Sequence, residues 1–182
     1  MLSKMPEPWK SFLAEIDDTL DEATEFHCIG GFVIAMLYNF ERETSDLDFI
    51  SCVPRENEDG LYELAGKGSL LYKKYKVYLD PVKVATPPDS YDDRLKEMFP
   101  GEFRWIRLYA LDPYDLALTK LERSGRTARD LEDVLHLART VPFNLEIFRQ
   151  RYNEEYKVYV EDMPLHRSTF DYWIKIIEEE RA

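Results

Sequence analysis

Apolar positions change their spacing abruptly within the first quarter of the chain. Over residues 9–24 they fall at helical intervals (Trp9, Phe12, Leu13, Ile16 and Leu20), which predicts an amphipathic helix. The run FHCI at 26–29 reads as a short strand, and the Gly30-Gly31 step opens a helix reaching Tyr38. A second strand, LDFISCV, is expected at 47–53, followed by the polar loop PRENEDG and a helix over 61–74. KVYLDPVKV at 76–84 alternates as a strand does, with Pro81 marking an edge or a strand end. A loop over 86–93, a short helix near Arg94–Met98 and a strand at 105–111 follow. After Pro113 the pattern is helical: 113–123, 128–139, 144–154 and 168–181, with breaks at Ser124-Gly125, Val141-Pro142 and Met163-Pro164. The pattern therefore predicts an α/β portion over 1–112 and a helical portion over 113–182. Short connections make these parts of one compact unit.

Composition narrows the function classes. A chain of 182 residues with 45% hydrophobic and 33% charged residues can bury a real core and has no signature of disorder. A net charge of -12 excludes a broad basic face for nucleic acid and leaves room only for a local basic groove. Phosphate-bearing ligands are then better held through metal ions than through bulk positive charge. Cys28 and Cys52 are too few for a disulfide scaffold and belong to no ligand cluster, so buried thiols are expected. His27, His136 and His166 show no triad or ligand spacing. No run has the length of a signal peptide core or a membrane span, which predicts a cytoplasmic protein without membrane association.

The segment that asks for chemistry is SDLDFI at 45–50. On a strand, Asp46 and Asp48 point to one face, roughly 6.5–7 Å apart at Cα, while Leu47 and Phe49 point into the core. Carboxylates at the edge of an apolar segment need water or a cation. Two on one rigid element suit a hard cation, Mg²⁺ or Mn²⁺, whose shell a substrate phosphate completes. A pair of such ions about 3.5–4 Å apart would stabilise the attacking and leaving oxygens of phosphoryl transfer. Gly30 and Gly31, at a helix N-terminus, offer backbone N–H groups and close approach to a phosphate. Asp80, in VYLDPV, supplies a third carboxylate for a second metal or for the proton of an attacking hydroxyl. Arg42, Thr44 and Ser45 precede the aspartates as donors to phosphate oxygens, and Thr44 serves equally as an ordinary turn hydroxyl. An isolated DLD also fits a solvent-facing strand edge; the preceding glycine step, together with the downstream block at 111–139, moves the reading to a metal site. KGSLLYKKYK at 67–76 interleaves Lys67, Lys73, Lys74 and Lys76 with Tyr72 and Tyr75. A solvated face over packed tyrosines is the plainer account, and contact with a single-stranded nucleic acid is the other.

Gly30-Gly31, a helix, and then Asp46-Leu47-Asp48 among apolar residues resemble the nucleotidyltransferase superfamily of the DNA polymerase β type. The glycine-to-aspartate interval is long for that motif. ERETSDLDFI looks like the Arg-x-Thr-x-Asp-apolar-Asp form of small bacterial members, including toxins of the abortive-infection E system. LDPYDLALTKLERSGRTARDLEDVLHLAR (111–139) is similar to the second block of those toxin-like proteins. The resemblance covers residues 26–140 and implies an α+β fold, a mixed sheet flanked by helices with a helical C-terminal portion. It implies that Lys120 contacts nucleotide phosphates and that Asp130 or Asp133 assists. An interhelical ion pair is the alternative for these three. It further implies transfer of an NMP from an NTP to an acceptor hydroxyl on RNA, tRNA or protein, with a cognate antitoxin or toxin as partner. Two rivals stand beside this: a catalytically silent protein of the same fold acting as a regulator, and a hydrolytic or nucleotide-sensing site using the same metals.

Overall fold

Thr24–Ile29 (β1), whose first four residues alternate buried and half-buried, pairs antiparallel with Asp46–Val53 (β2), which is buried from Leu47 through Phe49. The computed structural model describes residues 4–41, 43–121, 128–156 and 164–182. Contacts divide the chain into two compact units, Met1–Lys83 with Leu95–Leu111, and Val84–Arg94 with Asp112–Ala182.

The first unit is built on a five-stranded sheet in the order β3-β2-β1-β5-β4, where β3 is Tyr78–Pro81, β4 Lys96–Met98 and β5 Ile106–Ala110. The β1/β5 and β2/β3 pairs are parallel and the β1/β2 and β4/β5 pairs antiparallel, so the sheet is mixed. Helix α2 (Gly30–Tyr38) joins β1 to β2 and packs on both. Its sequence is apolar on every side, and it is accordingly buried from Gly30 through Ile34 and again at Met36 and Leu37. Helix α1 (Trp9–Asp17) inserts Phe12, Leu13 and Ile16, while Phe26 and Phe49 meet edge-to-face at 5.2 Å on β1 and β2.

Three local expectations are corrected. The single helix expected over 61–74 is two, α3 (Asn57–Ala65) and α4 (Leu70–Tyr75), and α3 begins inside the stretch read as a polar loop. The break falls at GKGS, where Gly66 is extended, Gly68 has φ +93° and the Ser69 hydroxyl accepts from the Tyr72 N–H at 3.0 Å. The short helix expected near Arg94–Met98 is a 3₁₀ turn at Tyr91–Arg94 followed by strand β4, because β5 offers an open edge that outweighs local propensity. Helix α1 stops at Asp17 rather than reaching 24, where Asp18 and Thr19 are weak helix formers, and the Asp17 carboxylate reaches across to β5. It accepts the backbone N–H groups of Arg104, Trp105 and Ile106 at 2.9, 2.7 and 2.8 Å, anchoring the start of β5. Asp17→Ala would leave these donors in a largely buried place. A loss of about 3 kcal/mol is expected, read as a lower urea midpoint, and an unchanged midpoint would refute the anchoring role.

The second unit is helical: α5 (Pro113–Thr119), α6 (Ala128–Thr140), α7 (Leu145–Arg151), a π turn at Tyr152–Tyr156, and α8 (Pro164–Arg181). Asp112 caps α5, accepting from the N–H groups of Tyr114 and Asp115, with Pro113 in the first turn. Rings of Tyr114, Phe143, Phe148, Phe170 and Tyr152 form its aromatic core. Asp115 is fully buried and bonded to Arg94 and Arg151. Burial pushes its carboxyl above the usual range, against the pull of Arg94.

Candidate metal centre

Strands β2 and β3 run parallel with Asp48 opposite Asp80 and Asp46 opposite Tyr78. Period-two alternation then sets Asp46, Asp48, Tyr78 and Asp80 on one face. Leu47 and Leu79, both fully buried, occupy the other. One carboxylate oxygen from each of Asp46, Asp48 and Asp80 lies within 4.8 Å of the others. Asp48 is buried and its two companions half-buried.

The neighbouring chain is shaped around this cluster. Ile29 pairs with Asp48, so the first residue of α2 arrives directly beside that carboxylate. Gly30 has φ +75°, and a Cβ there would stand 2.1 Å from Asp48 Oδ2. Only glycine satisfies both conditions. Gly31 is buried in the same first turn. The Thr44 hydroxyl donates to Asp46 Oδ1 at 2.9 Å, which orients that carboxylate. Ser45 is exposed, and its carbonyl accepts the Tyr78 N–H at 2.9 Å where β3 begins. Burial first, and then the charges of Asp46, Asp80 and Asp48, raise the Tyr78 phenol above its ordinary value, so it remains a neutral donor. Asp80 also lines a hollow of about 240 Å³ with Tyr62 and Lys83. Thr44 and Ser45 line a groove of about 600 Å³ floored by Trp9, Met36 and Val77.

The donor set fits a hard divalent cation. Three like charges this close repel one another by on the order of 3 kcal/mol per pair at an effective dielectric near 20. An oxygen-ligated cation relieves that repulsion. Oxygens around one Mg²⁺ stand roughly 3–4 Å apart, and two such ions about 3.5–4 Å apart, so the cluster has the dimensions for either.

Among the described residues, the second sequence block contributes α5 and α6 to the helical unit, and residues 122–127 lie outside the described residues. Lys120, at the end of α5, is buried, with Nζ 2.6 Å from Asp133 Oδ2 and 3.8 Å from Asp130 Oδ1. The structure thus brings these three residues together as a buried charged cluster. Arg42 lies outside the described residues. Sequence reasoning missed Tyr78, although its position two residues before Asp80 is signal enough to place it on the same strand face. Both cysteines are buried, Cys28 on β1 and Cys52 on β2, with burial pushing the Cys52 thiol up to about 12. Among the described residues no helix is long and apolar enough to cross a membrane.

A family model described as "Nucleotidyltransferase of unknown function (DUF6036)" matches residues 10–181. No curated protein and no solved structure matched the chain.

Proposed function

The chain belongs to this nucleotidyltransferase family of unknown function, and on that premise we propose that it transfers an NMP from an NTP to an acceptor hydroxyl in a reaction dependent on Mg²⁺ or Mn²⁺. The observation that carries the reading is the convergence of Asp46, Asp48 and Asp80 on one sheet face against the open backbone of Gly30. When bound, the divalent cations would supply charge neutralisation at the transferring phosphate. Asp46 and Asp48 would hold them, with Asp46 aimed by Thr44. Asp80 would either share a second ion or take the proton of the attacking hydroxyl. The backbone N–H groups of Gly30 and Gly31 hold phosphate oxygens at the start of α2. The acceptor oxygen attacks the α-phosphorus as the α–β anhydride bond breaks, and pyrophosphate carries away that bond's electron pair. By the resemblance, Lys120 would supply a charge for the nucleotide phosphates and Asp130 or Asp133 would assist, while the buried Lys120–Asp133 contact at 2.6 Å also fits the interhelical ion pair that is the alternative for them. The resemblance to abortive-infection E toxins supports a toxin–antitoxin setting with a cognate partner.

The test is incubation with each α-labelled NTP, Mg²⁺ or Mn²⁺, total RNA and lysate protein. Label is expected in one macromolecular pool. Release of labelled mononucleotide alone would identify a hydrolase, and no turnover of any NTP would end the transferase reading.

A further inference from the structure

The face bearing the aspartates extends one chain segment beyond β3. Gly66 makes a single parallel bridge to Leu79 in an extended conformation, so Lys67 turns toward the side that Tyr78 and Asp80 occupy. Its ammonium stands 5.6 Å from the centre of the Tyr78 ring, a cation–π distance. Tyr72 of α4 meets Tyr78 edge-on at 5.6 Å, with the rings at 87°. The turn that presents Lys67 is specified by its glycine. The Gly66 N–H donates to the Tyr62 carbonyl at 2.7 Å, and a Cβ at Gly66 would lie 2.5 Å from that same oxygen.

Lys67 is exposed and, among the described residues, forms no ion pair. Lys73 and Lys76 of the same segment share both properties, whereas Lys74 is tied to Glu15. In a chain of net charge -12, Lys67 stands without a carboxylate partner against Tyr78, on the strand face that carries Asp80, a local exception to the global field. Aromatic rings behind such cations form a surface suited to a nucleic-acid strand.

Direction follows from the chemistry. In-line displacement puts the attacking and leaving oxygens on opposite sides of the phosphorus. Gly30 adjoins Asp48 on the β1 side of β2, and Lys67 stands on the opposite side, past Asp80 on β3. Resting on the reading above, in which the glycines receive the triphosphate, we propose that Lys67, backed by Tyr78 and Tyr72, binds a phosphodiester of a nucleic-acid acceptor strand and so delivers its hydroxyl from the Asp80 side. A protein hydroxyl would bring no phosphate for this cation.

The test uses a fluorescein-labelled oligouridylate of about twelve nucleotides, titrated by anisotropy over a KCl series without NTP. Wild type is expected to bind, and Lys67→Ala to bind about fivefold more weakly, with the log–log salt slope shallower by about 0.7, as for one lost phosphate contact. Lys67→Arg should restore both, and all three proteins should melt together because Lys67 is exposed. Stabilisation by NTP with Mg²⁺ should be the same in all three. Absent oligonucleotide binding by wild type, equal slopes, or a loss of NTP stabilisation in Lys67→Ala with unchanged oligonucleotide binding would each overturn the proposal. So would labelling confined to protein. Failure of the transferase reading looks different: Lys67-dependent oligonucleotide binding with no NTP turned over.

Discussion

Asp48→Asn is expected to lower nucleotide transfer by at least ~10³-fold, equivalent to about 4 kcal/mol of transition-state stabilisation, while leaving the protein folded and no less heat-stable than wild type. Asp48 is the buried member of the cluster, placed between the Gly30 backbone and Asp80. Removing its charge weakens the grip on a divalent cation, because hard cations are held by anionic oxygen. The same change relieves repulsion from Asp46 and Asp80, so stability without metal should hold or rise. The paired measurement is melting temperature with and without Mg²⁺ alongside incorporation of label. Wild type should gain stability with Mg²⁺ and the variant should not. Equal Mg²⁺ responses, or full incorporation by the variant, would remove the carboxylate cluster from the chemistry.

Gly30→Ala should be the most damaging single-methyl addition in the first unit. A left-handed φ costs a non-glycine residue roughly 1–2 kcal/mol. The Cβ would also stand 2.1 Å from Asp48 Oδ2, far inside any real contact. The β2 backbone has little freedom to retreat, since Leu47 and Phe49 on its other face are 0% and 1% exposed. Strain and displacement together predict a destabilisation of about 3 kcal/mol or more, with loss of the Mg²⁺ response because the carboxylate must move. Gly60→Ala is the matched control. It lies in α3 with nothing within 4 Å of an added Cβ, and should be neutral or stabilising by up to about 1 kcal/mol. Equal melting of the Gly30 and Gly60 variants would show that the close approach at Asp48 carries no energetic weight.

Much of the site can be read from local pattern. Asp46 and Asp48 share a face because strand side chains alternate, whatever the rest of the fold does. The Gly30-Gly31 opening of α2 and the burial of Leu47, Phe49 and both cysteines follow from the same local regularities. Asp80 could be named as a third carboxylate, but its partner could not. The parallel register that sets it opposite Asp48 comes from burying Leu47 and Leu79 on a common face.

The remaining features are contacts between separate elements. Asp17 anchoring β5, β4 taking the edge of β5 and Gly66 bridging to Leu79 each join segments with no shared period. Sequence alone therefore determined which side chains stand together along one element, since backbone geometry repeats within a few residues. Tertiary structure alone decided which elements lie side by side and in what register. That choice minimises exposed apolar surface and unpaired backbone groups over the whole fold, and no single segment contains it.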